Sequence, residues 1–167
     1  TNHYSLFPIP YSLMIKSWLI IGIVAVLVAV GLGRLNTPEG YRWFNRQRRP
    51  QWLTFERLIP FIWTAIFICG AWSAYLVWEA APGKSQTWGL MAVYLLLEVL
   101  IMAYTPSMFF FRSLRAGTIV GGVGWILGVI LAILVSPISG VGLMLLIPYL
   151  LWSPIGTYVT WVMEGLN

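Results

Sequence analysis

The sequence predicts an all-α fold, an integral membrane bundle of five transmembrane helices. Of the 167 residues, 59% are hydrophobic and 9% are charged, whereas ordinary soluble domains are about 45–50% apolar and about 25% charged. A helical span needs roughly 20 apolar residues to cross a hydrocarbon core about 30 Å thick. Because five such runs leave little of the chain over, residues 1–167 are predicted to form a single membrane domain.

The first two spans are predicted from uncharged runs that end in polar sequence. The first, about 11–34, includes Lys16, whose ammonium group can extend to the membrane interface along its apolar stem. The second, about 58–79, is uncharged until Glu79. Pro60 falls in the first turn of this helix, where the missing backbone N–H is harmless.

The remaining three spans follow from the distribution of charge and turn residues. The third, about 87–111, contains a single charged residue, Glu98. The fourth and fifth, about 116–136 and 140–163, come from one long uncharged stretch. The turn-forming sequence "SPISG" at 136–140 divides that stretch into two helices.

The segment between the first two spans, residues 34–57, is polar and strongly basic. Its sequence "YRWFNRQRRPQW" at 41–52 contains four arginines, so it cannot lie in hydrocarbon. Loops of this length in compact domains are often functional. A nucleic-acid surface is not favoured, since membrane topology already accounts for the charge.

The positive charges predict the orientation of the bundle, because Lys and Arg are enriched in cytoplasmic loops. With five spans, eight of these residues lie on one side and two on the other. The side with eight holds Arg34, Arg42, Arg46, Arg48, Arg49, Arg57, Arg112 and Arg115, and the opposite side holds Lys16 and Lys84. The basic loop and the C-terminus are therefore expected on the cytoplasmic side, or the equivalent side of another membrane.

Few residues suggest chemistry. Glu98 lies in the middle of the third span, where an ionised carboxylate costs at least ~2.5–3.5 kcal/mol. We expect it to be neutral, hydrogen-bonded and directed into the bundle, and it is a candidate buried polar site. One His, His3, and one Cys, Cys69, give no metal site and no catalytic constellation.

The spans contain closely spaced small residues and several tryptophans. The fourth span contains Gly117, Gly121, Gly124 and Gly128, at spacings that let helices approach closely, either inside the bundle or across a dimer interface. Several of the ten tryptophans fall near span ends, as in an interfacial belt. Trp63 and Trp152 lie deeper and either pack in the core or stack on a flat ligand.

Three sequence patterns carry a family resemblance. "WFNRQRRPQW" at 43–52, "PFIWTAIF" at 60–67 and "PYLLW" at 148–152 resemble motifs of the tryptophan-rich sensory protein and translocator protein family. The resemblance covers about 43–167 and agrees with five helices. Two polar positions of the family's third span, a Gln and an Asn, are occupied here by Leu97 and Ile101.

The resemblance implies a pocket that opens toward the first loop, with residues 35–57 as its candidate lid. The pocket is expected to bind porphyrins, haem-like tetrapyrroles, another pigment or hydrophobic drugs. The resemblance also implies ligand-binding residues Trp43, Trp52, Trp63, Phe67, Tyr94 and Trp152. Loop residues Arg46 and Arg49 are expected to pair with ligand carboxylates. No obligatory cofactor is implied. Some members are reported to promote light-dependent breakdown of porphyrins, although an enzymatic role is not favoured here.

The sequence is compatible with two functions. The first is a sensor, carrier or scavenger that binds a tetrapyrrole. The second is an accessory subunit of a larger membrane complex, with lipid or pigment in surface grooves; the lost polar positions, the glycine spacing and the aromatic residues at the helix edges favour it. Expected partners are membrane lipids, a tetrapyrrole-type molecule and either a second copy or a host complex, but no nucleic acid.

Overall fold

The computed structural model describes residues 16–167, so His3 and the predicted helix start at 11–15 lie outside the described residues. Over this part of the chain every regular element is helical. The helices are α1 (Ser17–Gly33), α2 (Pro38–Asn45), α3 (Ile59–Ala80), α4 (Ser85–Phe111), α5 (Leu114–Val135) and α6 (Gly140–Leu166). A turn of 3-10 helix, Glu56–Leu58, leads into α3. The all-α prediction is confirmed.

Five candidate membrane spans are present among the described residues. The helices α3, α4, α5 and α6 are each long and apolar enough to cross a membrane, and α1 with α2, bent by 74°, provides a fifth candidate. Apart from the start of the first helix, predicted at about 11 and outside the described residues, the helix ends lie within a few residues of those predicted from the sequence. The protein is therefore a multi-pass membrane protein with the predicted five-helix fold.

The basic segment 35–57 is not an irregular loop throughout, because α2 occupies part of it. The Thr37 hydroxyl accepts a hydrogen bond from the Gly40 amide (3.1 Å), which caps the helix N-terminus. Pro38 stands in the first turn, where its fixed φ suits a helix. The capping Thr37 and the following Pro38 are helix-start signals in the sequence. The segment was nevertheless predicted to be a loop because it contains so many arginines.

The five long helices pack side by side in the cyclic order α1, α4, α5, α6, α3. The closest packing is between α5 and its two neighbours, while α1 rests on α3 and α4 and has no fully buried residue. A further contact between α3 and α4 crosses the ring. This contact divides the interior into two cavities, one beside α1 and the other among α3, α4, α5 and α6.

The glycines of α5 are used inside the bundle. A Cβ atom added to Gly117 would meet Met108, one on Gly121 would meet Thr157, and one on Gly124 or Gly128 would meet the ring of Tyr149 on α6. Backbones that approach this closely compensate in lipid for the missing hydrophobic drive between helices. The internal packing interpretation is confirmed, and these glycines give no support to a dimer or complex interface.

Candidate functional site

A cavity of about 540 Å³ lies beneath the basic segment, between α3, α4, α5 and α6. Its size falls within the range of about 300–1,000 Å³ that is usual for small-molecule sites. Aromatic side chains from four separate parts of the chain form its walls. They include Phe55, Trp63, Phe67, Tyr104, Tyr149 and Trp152.

The aromatic walls are held by edge-to-face and tilted ring contacts. The ring of Trp63 lies 6.2 Å from Phe67 and 6.4 Å from Tyr149, measured between centroids. The ring of Trp152 meets Phe55 edge-on at 6.1 Å. These contacts bring several aromatic rings around one cavity, and a flat apolar molecule can stack on such rings.

Two buried polar atoms of the cavity wall lack a hydrogen-bond partner within residues 16–167. They are the indole Nε1 of Trp152, a donor, and the side-chain Oδ1 of Asn36, an acceptor. A buried polar group without a partner costs free energy. Each atom would therefore be stabilised by a hydrogen bond with a bound molecule that reaches it.

The basic segment 35–57 forms the cover of this cavity and is held in place by several contacts. The Arg49 guanidinium pairs with Glu56 at 3.0 Å, and its carbon lies 5.2 Å above the ring of Phe44. The side chain of Asn167, at the end of α6, accepts a hydrogen bond from the Arg48 amide (2.8 Å) and donates one to the Arg48 carbonyl (3.1 Å). The basic segment is thus bound to α6 as well as to its own residues.

Two of the predicted loop tryptophans belong to the cover but do not line the cavity. Trp43 packs against the cluster around Phe109, near the start of α5, and the exposed Trp52 stacks on Tyr158 of α6 at 6.1 Å. Arg46 is exposed and also lies outside the cavity lining. Trp43 and Trp52 attach the cover to the bundle and Arg46 lies on its exposed surface. Trp63, Phe67 and Trp152 line the cavity itself.

The predicted residues Tyr94 and Glu98 lie in the other cavity, a lateral groove of about 1150 Å³ beside α1. The Tyr94 hydroxyl is 2.6 Å from the Ser73 hydroxyl, which in turn donates to the Gly142 carbonyl at 2.7 Å. Tyr94 is therefore the donor to Ser73, and this chain joins α4, α3 and α6. Glu98 was expected to be hydrogen-bonded, but its buried Oε1 has no hydrogen-bond partner in the described part of the chain.

Several wall residues were missed from the sequence. Tyr149 stands inside the quoted "PYLLW" motif and separates the two cavities, yet only the neighbouring tryptophan was selected. Phe55 and Asn36 had no recognisable pattern, because their role depends on how the basic segment folds back over the bundle. Tyr104 pairs with Thr160 through their hydroxyl groups, joining α4 to α6.

Comparisons with known proteins agree with this architecture. Residues 20–166 match the TspO/MBR family. The tryptophan-rich protein TspO of Bacillus cereus is 27% identical over 130 residues, covering 78% of this chain and 84% of the relative. The TspO of Chlorobaculum tepidum is 25% identical over 146 residues, covering 86% and 92%. The membrane protein YtaB of Bacillus subtilis is 27% identical over 132 residues, covering 78% and 83%. The family match extends over most of the chain, and the protein belongs to the TspO/MBR family.

Proposed function

We propose that the protein binds a flat hydrophobic ligand of the tetrapyrrole class, such as a porphyrin, in the cavity beneath the basic segment. The observation that carries the proposal is the unpartnered indole N–H of Trp152 in a cavity walled by aromatic rings. The ring faces of Trp63 and Trp152 would stack on the macrocycle. A sensor, carrier or scavenger of such a molecule would use this arrangement.

The rim of the cavity supplies charge for the ligand's carboxylates. Glu56 lines the cavity and pairs with Arg49 at 3.0 Å, so the guanidinium already holds a carboxylate at the mouth. A propionate of the ligand would replace Glu56 in that pair, because the two acceptors have the same geometry. Arg46, exposed on the same segment, would add long-range attraction.

The test is a titration of the purified protein with protoporphyrin IX, followed by the Soret band and by tryptophan fluorescence. We expect saturable binding by the parent protein. The affinity should fall about tenfold or more in the double variant Trp63→Phe, Trp152→Phe, because a stacked aromatic pair and a hydrogen bond are each worth about 0.5–1.5 kcal/mol. The matched control is Trp72→Phe, because Trp72 is exposed and lines neither cavity.

The pattern among the variants decides the outcome. Parent-like affinity in Trp72→Phe with weakened affinity in the double variant supports the proposal. A Soret shift that never saturates, or equal affinity in all three proteins, contradicts it. Arg49→Gln should weaken the binding of a porphyrin dicarboxylate more than that of its dimethyl ester, because only the free acid can pair with the guanidinium.

We further propose that the end of the bundle bearing α2 faces the cytoplasm or an equivalent compartment, as the Lys and Arg distribution favours. In a Cys69→Ser background, Gln51→Cys and Gln86→Cys place one exposed thiol at each end without changing charge. A membrane-impermeant maleimide should label Gln86→Cys in intact cells and Gln51→Cys only after permeabilisation. The reverse pattern would refute the orientation.

A further inference from the structure

The lateral groove beside α1 has the form of a second ligand site. It is made by small residues of α3, Gly70, Ala71 and Ala74, which face α1 and α4 without filling the space between them. A Cβ atom added to Gly70 would meet no neighbouring atom within 4 Å. Exposed Trp18 and Trp88 stand at its rim, so the groove is accessible from the lipid side.

Polar groups occur at two levels of this otherwise apolar groove. The membrane-edge end holds Lys16, Ser17 and Glu79, and Ser17 donates a hydrogen bond to the Glu79 carboxylate. The deep end holds Glu98. At a helical rise of 1.5 Å per residue, Glu98 lies about 20 Å along α4 from the first residue of that helix, Ser85. The outer group is satisfied within the protein, whereas the Glu98 Oε1 has no partner among residues 16–167.

The depth of Glu98 restricts what can pair with it. Phospholipids keep their charged groups at the interface, because charge is costly in hydrocarbon. A partner for a neutral carboxyl at this depth must therefore be a weakly polar group, such as a carbonyl, on a molecule that dissolves in the membrane interior. Aromatic side chains stand nearby: Phe67 and Tyr149 form the deep wall together with Ile101, one helical turn from Glu98.

We propose that the groove binds a membrane-dissolved lipid with a carbonyl-bearing aromatic-like ring, an isoprenoid quinone, whose carbonyl accepts a hydrogen bond from Glu98. The ring lies at the deep end against Phe67 and Tyr149, and the isoprenoid tail follows the apolar groove past Gly70 toward the lipid. No electron transfer is involved. This site is distinct from the cavity proposed for the tetrapyrrole, and the two share only the wall formed by Phe67, Ile101 and Tyr149.

The test uses decylubiquinone as the probe, with the full chain in lipid nanodiscs and tryptophan quenching as the readout. We expect saturable quenching above the linear background given by probe dissolved in the bilayer. Glu98→Leu should weaken binding about tenfold through loss of one buried hydrogen bond, and Glu98→Gln, which keeps a donor, should retain most of the affinity. Gly70→Leu should abolish saturable binding by filling the groove.

Matched variants distinguish binding in the groove from binding elsewhere on the protein. Gly122→Leu introduces the same side chain on α5, where a Cβ also meets nothing within 4 Å, and should bind the probe like the parent. Ala71→Leu replaces Gly70→Leu if the latter fails to fold by circular dichroism. Competition by ergosterol or oleic acid but not by a second quinone, or unchanged binding in Glu98→Leu and in both filled variants, overturns the proposal. Porphyrin titration of the same variants shows independently whether the other cavity binds its ligand.

Discussion

Replacing Gly128 by leucine is expected to destabilise the bundle by about 3 kcal/mol or more, at the upper end of what overpacking costs. The added side chain would occupy the position of the Tyr149 ring, which is buried against α5. Because Tyr149 also forms a wall of both cavities, the ring cannot move without changing their shape. Thermal unfolding in detergent, followed by circular dichroism, measures the loss.

Gly122→Leu is the matched control for this prediction. It lies on the same helix, but a Cβ there meets no atom within 4 Å. Its midpoint should stay close to that of the parent or rise slightly, since leucine is a better helix former than glycine. Equal destabilisation by the two variants would mean that α5 does not pack against α6 through Gly128.

Gly40→Leu is expected to detach α2 from the end of α4, at an overpacking cost of about 1–3 kcal/mol. A side chain at this position would coincide with Phe109. The ring of Phe109 also contacts Tyr41 edge-on at 4.9 Å and Phe44 at 6.2 Å, so displacement of this ring would disrupt most of the aromatic contacts of α2. The cover of the cavity would then open, and porphyrin affinity should fall with it.

Hydrogen exchange followed by mass spectrometry locates this effect. Amides of residues 38–45 should exchange faster in Gly40→Leu, while those of the α5 core keep their protection. Gly33→Leu, at the end of α1, is the control, because a Cβ there meets nothing within 4 Å. Unchanged exchange in α2 of the Gly40 variant would show that the contact with Phe109 does not hold the cover in place.

The architecture could be predicted from the sequence because hydrocarbon imposes simple rules on it. Uncharged runs of sufficient length must be spans, and charges must lie between them. The one element that escaped, α2, is amphipathic and carries Glu39 and Arg42, which pair with each other at 2.7 Å on its exposed side. Thr37 and Pro38 marked the start of this helix, but short surface helices also depend on tertiary contacts, here with Phe109, that no local pattern reveals.

The candidate site could be predicted only in part. The positions of Trp63, Phe67 and Trp152 followed from the resemblance, and the structure brings all three to one cavity. Tyr94 lies instead in the groove beside α1, because its position on α4 faces Ser73 on α3. Which side of α4 faces which cavity depends on the cyclic order of the helices, and hydropathy alone does not specify that order.

The wall shared by the two cavities has a thermodynamic consequence. Phe67, Ile101 and Tyr149 line both spaces, so a molecule that fixed these side chains on one side would change the free energy of binding on the other. Such a coupling is reciprocal by necessity: whatever factor the first occupant imposes on the affinity of the second, the second imposes on the first. With both proposed ligands bound, this partition of three side chains would let the composition of the surrounding membrane alter the affinity of the cavity beneath the basic segment.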